Sequence, residues 1–546
     1  MHESLPRRIS RWLPPYVIGG SALSFGVSSV ALVMVLLLFR AGTVLGQETP
    51  GIFGHLDGLE AFVQEQMADW FVPGLALGVV SIDGNGDAAT YLRGFGYRDL
   101  ARELPVTSQT VFSVGSCAKA FTAAAMATLV ADGALGWDTP IQKVVPSFRL
   151  YDDYTTLHTT PRDLLAQRTG IAGYDMLQHT PTTGREALWE RIAGLEPSAG
   201  FRERFQYANL SYLMAGRVVE QVAGVPFEAF VRSRLLEPMG MTSTTLSYAE
   251  ARNFEEMAVP YRNFGIGARF GDGSFPSPDF DILDPAREAL RSPSGGVYSS
   301  LEDMMKWVGM HLLGGMAGRE RVLPEATIRA MHSVQAPISY DPNGSEQTYR
   351  SYGMGWFVQD YRGHPTVQHA GQVFGYMTQI TLLPRDGIGV VVLTNAYYHH
   401  AHYIIAKTVL DRLLGLEPMD RSGELEGFKP VAENLDRQTR EFWETRPEDG
   451  GSPSRPLNAY AGSYSNPLYG SISVNEAEEG LEVTIREEVV LALRHYSHAT
   501  FAADTPLLDF FHTFFDFRLA PDGTVEGVRI PWDQWEGGVF FSREEG

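Results

Sequence analysis

The alternation of apolar and polar residues predicts strands at both ends of a central unit. Residues 74–82 (GLALGVVSI) form an apolar run, and residues 83–86 (DGNG) make a turn into a second strand at 88–97. Two later apolar runs, residues 376–383 and 388–393, are separated by a short turn. The pattern between these pairs is mostly helical. We therefore expect one antiparallel sheet assembled from both ends of the unit and packed by helices.

Helical spacing of apolar residues marks the segments around and between these strands. Such spacing occurs in residues 56–70, 116–133, 159–171, 210–224 and 402–414. Glycines at the ends of several of these segments are typical helix stops. Residues 251–290 are instead rich in Gly, Pro and Asp, and we expect them to wrap a cleft as loops.

Ser116 and Lys119 form a Ser-x-x-Lys unit at the start of one predicted helix. A spacing of three residues places Lys119 one turn along on the same helix face, so the amine can reach the hydroxyl. A serine becomes a nucleophile when an adjacent base takes its proton, and lysine serves only where burial or a nearby cation lowers its pKa. Lys119 is the only lysine in the chain three places after a serine. The pair predicts nucleophilic catalysis, although so short a motif also arises by chance.

Three other polar residues have both structural and functional interpretations. Tyr207 and Asn209 come just before a predicted helix, where they can point into a cleft. They can equally be a core aromatic residue and a helix cap. His369 precedes a strand and can be a satisfied polar residue without a catalytic part. The residue pattern leaves these alternatives open.

Charge and composition exclude several classes of function. A net charge of −21 leaves phosphate repulsion uncompensated, so we expect no nucleic-acid partner. The single cysteine, Cys117, cannot form an intramolecular disulfide and is interpreted as a small packed residue. No Gly-x-Ser-x-Gly motif indicates an α/β-hydrolase. His399, His400 and His402 lack partners at metal-ligand spacing and are interpreted as a surface helix start, so we expect no metal or other cofactor.

Residues 1–46 form a predicted export segment. Three arginines precede an uncharged stretch, residues 16–39, which is long enough to cross a bilayer. The charge order places the N-terminus in the cytoplasm and the chain after Arg40 outside it. Small residues before Gln47 also permit signal-peptide cleavage. We expect a single-pass membrane protein with its catalytic domain outside the cytoplasm, or a secreted protein.

The rest of the chain divides by composition. At 546 residues it is too long for one compact core. Residues 47–416 hold the predicted sheet and helices. Residues 417–456 are charged and end in RPEDGGSPSRP, which indicates a linker. Residues 457–546 contain short alternating segments broken by turns, which predict a small all-β, barrel-like domain.

Five segments occur together in the order and spacing of a known family: SVGSCAKAFTA, YANLSYLMAG, SPSGGVYSS, YGMGW and HAGQVFGY. Over residues 55–415 the chain resembles the serine β-lactamase-related hydrolases of the peptidase S12 type. That family includes class C β-lactamases, DD-peptidases, D-aminopeptidases, esterases and acyl transferases. The tail, from AYAGSYSNPLYGSISV onward, looks like the lipocalin-like C-terminal domain of some of its peptidases. The resemblance implies an α+β fold: an antiparallel sheet flanked by helices, a helical insertion and a C-terminal β-barrel domain.

The resemblance also implies roles for individual residues. Ser116 would be the acylated nucleophile and Lys119 its base. Tyr207 would share the proton transfer and protonate the leaving group. Asn209 would orient the substrate and Lys119.

The family's third motif corresponds to His369, Ala370 and Gly371. The resemblance implies an oxyanion hole formed by the backbone N–H groups of Ser116 and Gln372. One such donor typically lowers the activation barrier by about 3 kcal/mol. β-Lactamases and DD-peptidases have lysine at the first position of this motif, where it binds a substrate carboxylate. A mostly neutral His369 would hold a substrate carboxylate more weakly than a lysine does. This departure favours esters, amides or D-amino-acid peptides over penicillins.

Three functional hypotheses follow. The leading one is an exported serine hydrolase that forms an acyl-enzyme with a small-molecule or peptide substrate. The second is an acyltransferase that uses the same acyl-enzyme with another acceptor. The third is a non-catalytic descendant that binds peptides or peptidoglycan. The sequence indicates neither the natural substrate nor the oligomeric state.

Overall fold

The computed structural model describes residues 52–171, 173–178, 185–262, 292–373, 375–397, 399–428, 430, 451–478, 480–485, 489–503, 513–532 and 538–544. The predicted export segment and most of the loop-rich stretch 251–290 lie outside these residues. Within the described ranges, no helix combines the length and the apolar character needed to cross a bilayer.

One antiparallel sheet dominates the larger part of the fold. The strands before the C-terminal domain are β1 Gly74–Ile82, β2 Ala88–Asp99, β3 Leu104–Pro105, β4 Val111–Ser113, β5 Thr244–Thr245, β6 Tyr261–Arg262, β7 Tyr298–Ser300, β8 Met316–Ala317, β9 Glu320–Arg321, β10 Ala336–Tyr340, β11 Tyr349–Tyr352, β12 Phe357–Tyr361, β13 His364–Val373, β14 Tyr376–Leu383, β15 Ile388–Thr394 and β16 Ala396–Tyr397. Among the described residues, nine of them form the sheet in the order β10-β11-β12-β13-β14-β15-β1-β2-β3. β1 pairs with β15, with Leu75 opposite Thr394. The predicted α+β fold, with a sheet built from both ends of the unit, is confirmed.

Both faces of the sheet are covered, which explains the continuous apolar run of β1. Alternate residues of β1 join two separate hydrophobic clusters. One cluster includes buried residues of the helices Leu59–Asp69 and Ala401–Leu413. The other includes buried residues of the helices Ala118–Ala131 and Leu301–Leu312. Because each face packs on helices, β1 has no solvent-facing side for polar residues.

Five of the helices match the predicted segments, and the others lie between those. The α-helices within the described ranges include Leu59–Asp69, Ala118–Ala131, Asp153–His158, Pro161–Leu165, Asp175–Gln178, Arg185–Arg191, Asn209–Ala223, Phe227–Val231, Glu237–Met239, Tyr248–Ala251, Leu301–Leu312, Glu325–Met331 and Ala401–Leu413. Thr160 and Asp163 form a capping box at one helix start. That helix ends at Leu165, earlier than the predicted end at Gly170. Gly224, with a φ of 72°, ends the helix Asn209–Ala223 as expected.

The strands β10 to β13 were not predicted, and His369 lies within β13 rather than before a strand. The alternation of β12 and β13 is hidden because both carry glutamines on a face that is covered rather than exposed. Gln368 Nε2 donates to Gln359 Oε1 at 3.3 Å, and Gln379 Nε2 of β14 donates to Gln368 Oε1 at 2.6 Å. These amides satisfy one another across the strands, so polar residues do not mark a solvent face here.

A closed barrel forms the C-terminal domain and confirms the predicted β-barrel. In the part described after residue 450, its eight strands are β17 Gly462–Asn466, β18 Gly470–Ala477, β19 Gly480–Ile485, β20 Val489–Ser497, β21 Thr500–Ala503, β22 Phe514–Leu519, β23 Val525–Ile530 and β24 Val539–Arg543. Arg191 Nη1 donates to the carbonyl oxygen of Leu468 at 2.9 Å, which joins the barrel to the helical insertion. Residues 431–450 of the predicted linker lie outside the described residues.

Candidate active site

A sharp turn places Ser116 just before the helix Ala118–Ala131. Residues Gly115–Cys117 form one 3₁₀ turn, and Gly115 has a φ of +51°, a conformation that favours glycine. A Cβ atom on Gly115 would lie 2.7 Å from the backbone nitrogen of Gln372. The turn that carries Ser116 therefore lies directly against β13.

Lys119 is fully buried, and its amine contacts three oxygen atoms. Its Nζ lies 3.2 Å from Ser116 Oγ, 2.7 Å from Asn209 Oδ1 and 2.8 Å from the carbonyl oxygen of Ser294. Once it has lost a proton, the amine in this position can donate N–H bonds to Asn209 and Ser294 and direct its lone pair at the Ser116 hydroxyl. The geometry suits a transfer of the Ser116 proton to Lys119.

Tyr207 lies beside Lys119, with the Nζ atom 4.8 Å from the centre of its ring. The residue is 37% exposed, so the interpretation as a core aromatic residue is wrong. Protein atoms nevertheless surround the hydroxyl, and this desolvation raises its pKa well above the usual value, against the opposing effect of a hydrogen bond with Ser116. A neutral phenol next to the Ser116 hydroxyl can both accept and donate a proton.

Asn209 is the first residue of its helix, and the cap position belongs to Ala208. Its side chain bridges Lys119 and Asp175 instead: Oδ1 accepts from Lys119 Nζ at 2.7 Å, and Nδ2 donates to Asp175 Oδ1 at 2.9 Å. The helix-cap interpretation of Asn209 is therefore wrong. Asp175 lies in a four-residue helix with no periodic pattern, which is why sequence reasoning missed it.

His369 is enclosed by protein, with 2% of its surface exposed. Its Nε2 lies 3.2 Å from Tyr352 Oη, and its Nδ1 lies 2.6 Å from the carbonyl oxygen of Ala370. Burial, assisted by the charge of Lys119, lowers the pKa of the imidazole to about 3. The ring is neutral near pH 7, as expected, but it is held inside the protein and has little surface to offer a substrate.

Gly371 and Gln372 lie on an open edge of β13. Within the described sheet, pairing of β12 with β13 ends at Phe357 and Gln368, so the following residues of β13 lack a neighbour on that side. A Cβ atom on Gly371 would lie 1.9 Å from the carbonyl oxygen of Val114. Because the Ser116 turn approaches this edge so closely, the backbone N–H groups of Ser116 and Gln372 are suited to a shared oxyanion.

Cys117 and the histidines near residue 400 do not form part of this arrangement. Cys117 is buried, its Sγ donates to the carbonyl oxygen of His369 at 3.3 Å, and burial raises its thiol pKa. His399 and His402 are 1% and 4% exposed, so their interpretation as a surface helix start is wrong. His399 Nε2 lies 3.0 Å from Thr394 Oγ1 of β15, and His402 is a buried residue of the helix Ala401–Leu413. His400 alone fits the prediction, since it is exposed and directly precedes that helix. Across the described ranges, no three His, Cys, Asp or Glu residues are grouped as metal ligands.

The arrangement brings together the parts of a nucleophilic acyl transfer. A hydroxyl contacts an enclosed amine, a phenol lies beside both, and the turn that carries the hydroxyl lies against the backbone of Gly371 and Gln372. Ser294, whose carbonyl oxygen accepts from Lys119, lies in the segment SPSGGVYSS, to which the sequence analysis assigned no residue of the site. The site therefore combines segments separated by more than 250 residues.

Comparisons with known proteins match the chain in two parts. The family model described as "Beta-lactamase" matches residues 59–413. A second model, described as a domain of unknown function (DUF3471), matches residues 446–541 and so includes the barrel strands.

Two curated relatives and one solved structure are similar to the chain over most of its length. Unguisins hydrolase ungD of Aspergillus violaceofuscus is 27% identical, with 88% of each chain covered. Penicillin-binding protein 4 of Amycolatopsis lactamdurans is 28% identical over 73% of this chain and 100% of its own. The solved structure of the octameric penicillin-binding protein homologue from Pyrococcus abyssi has a TM-score of 0.56 at 23% identity, covering 90% of this chain and 100% of that one. This last likeness shows the fold.

Proposed function

The chain belongs to the beta-lactamase family, and we propose that it is an exported serine hydrolase with Ser116 as its nucleophile. The family match and the relatives named as hydrolase and penicillin-binding protein support serine acyl-enzyme hydrolysis in general terms. The proposed substrates are esters or amides, including peptides that contain D-amino acids. The observation that carries the proposal is the contact of Lys119 Nζ with Ser116 Oγ at 3.2 Å in a buried setting.

In the proposed acylation, Ser116 Oγ forms a bond to the carbonyl carbon of the substrate. The Ser116 proton passes to Lys119 and through Tyr207 to the leaving oxygen or nitrogen as its bond to carbon breaks. The amides of Ser116 and Gln372 stabilise the negative charge that develops on the carbonyl oxygen, and each lowers the activation barrier by about 3 kcal/mol. Asn209 keeps the amine of Lys119 directed at Ser116.

In the proposed deacylation, a water oxygen bonds to the acyl carbon and the bond from carbon to Ser116 Oγ breaks. One water proton returns to Ser116 through the same amine and phenol. An alcohol or amine in place of water would give acyl transfer, and the two outcomes differ only in the acceptor. Hydrolysis and acyl transfer both require Ser116, Lys119 and Tyr207, so substitutions of these residues do not distinguish the two reactions. The acceptor therefore has to be tested separately from the nucleophile.

Export is part of the proposal because of the N-terminal sequence. The arginines before residue 12 and the uncharged stretch 16–39 are typical of a signal peptide or a signal anchor. Fractionation of cells that express the full chain, followed by N-terminal sequencing, distinguishes a cleaved secreted form from an anchored one. Recovery of the intact chain in the cytoplasm would contradict export.

Turnover of a substrate panel tests the proposed chemistry. The panel contains p-nitrophenyl esters, D-amino-acid p-nitroanilides and nitrocefin, assayed with the wild type, Ser116→Ala and Cys117→Ala. We expect Ser116→Ala to lose turnover and Cys117→Ala to keep it, because the Cys117 thiol donates to a backbone carbonyl in the core. A Ser116→Ala variant with wild-type turnover would overturn the proposal, and binding without turnover by the wild type would favour a non-catalytic protein.

A further inference from the structure

Gln167 is a buried polar residue with an uncommon backbone conformation. It lies just after the helix Pro161–Leu165, and its φ of +56° falls in the left-handed region. Only 1% of its surface is exposed. A side chain larger than that of glycine makes this conformation unfavourable, so it persists where the surrounding structure holds the residue in place. Glycine would avoid the strain, and the presence of glutamine therefore indicates a task for its side chain.

Two oxygen atoms of Gln167 hold the chain on either side of Tyr207. The backbone carbonyl oxygen of Gln167 accepts from the backbone N–H of Gln206 at 2.9 Å. The side-chain Oε1 accepts from the backbone N–H of Ala208 at 2.5 Å. Gln206 directly precedes Tyr207, and Ala208 directly follows it. One residue thus fixes the path of the backbone through the position that carries the phenol.

The N–H group of Ala208 has no acceptor of its own helix to replace Gln167. Ala208 is the cap residue before the helix Asn209–Ala223, and its φ of −146° and ψ of 115° are extended. The residue is also buried, with 4% of its surface exposed. A buried N–H group that loses its acceptor is unfavourable. Removal of the Gln167 amide should therefore displace the backbone around Ala208 towards another acceptor.

Tyr207 is sensitive to such a displacement because its contacts are made by the far end of its side chain. Its hydroxyl has a hydrogen bond with Ser116, and its ring centre lies 4.8 Å from Lys119 Nζ. The residue is 37% exposed, so packing encloses its ring only in part. A misplacement of about 1 Å at a reacting group can lower a rate by about 100-fold. The attachment to Gln167 is thus a source of precision for the phenol.

Backbone contacts that do not involve the Gln167 side chain hold the rest of this segment. The backbone N–H of Arg202 donates to the carbonyl oxygen of Arg168 at 2.8 Å, and that of Ser198 donates to Gly170 at 2.8 Å. The side chains of Arg168 and Arg202 both pair with Asp163. These contacts remain when the Gln167 side chain is replaced, so we expect a local displacement rather than a loss of fold.

We propose that Gln167 is a positioning residue that holds Tyr207 beside Ser116 and Lys119. The inference rests on the proposed hydrolase function and deepens its account of proton transfer through Tyr207. The Gln167 side chain is buried and bonded to the backbone, so it has no contact with substrate in this role. Its removal should lower kcat and leave KM close to the wild-type value, because Tyr207 acts as bonds form and break.

A double-mutant cycle tests this assignment. The assay measures kcat and KM for a p-nitrophenyl ester with the wild type, Gln167→Met, Tyr207→Phe and the double variant. Methionine resembles glutamine in length but offers no strong acceptor to Ala208. Gln167→Gly is assayed as well, because glycine adopts the left-handed φ without strain. Thermal unfolding verifies that each variant is folded.

Glu103→Gly provides the matched control. Glu103 has a φ of +51° and is exposed in the turn before β3, an edge strand of the described sheet. Glycine relieves the same kind of backbone strain there, without removing an acceptor from the Tyr207 segment. We expect kcat of this variant to stay within about threefold of the wild type.

We expect Gln167→Met and Gln167→Gly to lower kcat by about tenfold or more, with KM within about threefold of the wild type. In the Tyr207→Phe background, Gln167→Met should lower kcat by less than about threefold, because the hydroxyl that it positions is already absent. An equal loss in both backgrounds, or wild-type kcat in folded Gln167→Met and Gln167→Gly, would overturn the assignment. Ser116-dependent hydrolysis by the wild type would then leave the hydrolase proposal standing, whereas a wild type that hydrolyses no ester of the panel would overturn both.

Discussion

Replacing Gly371 with alanine should separate the two segments that form the candidate oxyanion hole. A Cβ atom at this position would lie 1.9 Å from the carbonyl oxygen of Val114, where such atoms do not approach closer than 3.0 Å. The two nearest atoms, the carbonyl oxygen and carbon of Val114, belong to the backbone and cannot rotate away. β13 and the Ser116 turn must therefore move apart by about 1 Å, a displacement that can lower the rate by about 100-fold. We expect kcat/KM for a p-nitrophenyl ester to fall by about 100-fold or more, because Gln372 moves away from the reacting oxygen.

A second glycine provides the control for this experiment. Gly309 lies in the helix Leu301–Leu312, and a Cβ atom there would meet no atom within 4 Å. Gly309→Ala should leave kcat/KM unchanged and stabilise the protein by about 0.5–1 kcal/mol. The rate of inactivation by a fluorophosphonate, corrected for the folded fraction, separates a damaged site from a loss of fold. Wild-type acylation by folded Gly371→Ala would refute the argument that this close approach forms the site.

Three further predictions follow from the site and from the buried histidines. Lys119→Met should lower kcat by about 10²–10⁴-fold in ester hydrolysis, because it removes the amine that contacts Ser116 Oγ and can accept its proton. Activity within tenfold of the wild type would contradict the role of Lys119 as base. Tyr207→Phe should also lower kcat by about 10²-fold or more, and the raised pKa of the Tyr207 phenol predicts that the wild-type pH–rate profile shows no loss from its ionisation below pH 10. Burial lowers the pKa of His332 to about 4 and that of His402 to about 3, whereas an unfolded chain protonates histidine near pH 6.5. The unfolded state therefore binds more protons as the pH falls from about 6.5 to 4, and the free energy of unfolding should fall by up to about 1.4 kcal/mol per pH unit for each such imidazole. Measured by urea unfolding, the free energy of unfolding should decline less steeply with falling pH in His402→Gln than in the wild type. An unchanged slope would contradict the lowered pKa of His402.

Local spacing predicted the parts of the site that one helix contributes. Ser116 and Lys119 are three residues apart, and the turn Gly115–Cys117 continues directly into the helix that carries the lysine. Sequence reasoning could not supply the carbonyl group of Ser294, which contacts Lys119 across 175 residues. That contact depends on the tertiary packing of a turn against the helix Ala118–Ala131, which neither propensity nor periodicity encodes.

The burial of His369 had a signal in the sequence that went unused. Val367, His369 and Gly371 alternate along β13, and Val367 belongs to the hydrophobic cluster on the side of the helix Ala118–Ala131. Because alternate residues of a strand share a face, this pattern places the imidazole inward. Asp175 had no such signal, because it acts through a contact with Asn209 of another helix, 34 residues along the chain.

Intact-mass analysis after fluorophosphonate treatment tests the central claim most directly. The purified protein and its Ser116→Ala variant are treated in parallel, and peptide mapping locates any adduct. We predict a single phosphonyl adduct on Ser116 of the wild type, formed with loss of fluoride, and no adduct on the variant. A folded wild-type protein that remains unmodified, or an equal adduct on Ser116→Ala, would contradict the assignment of Ser116 as the nucleophile.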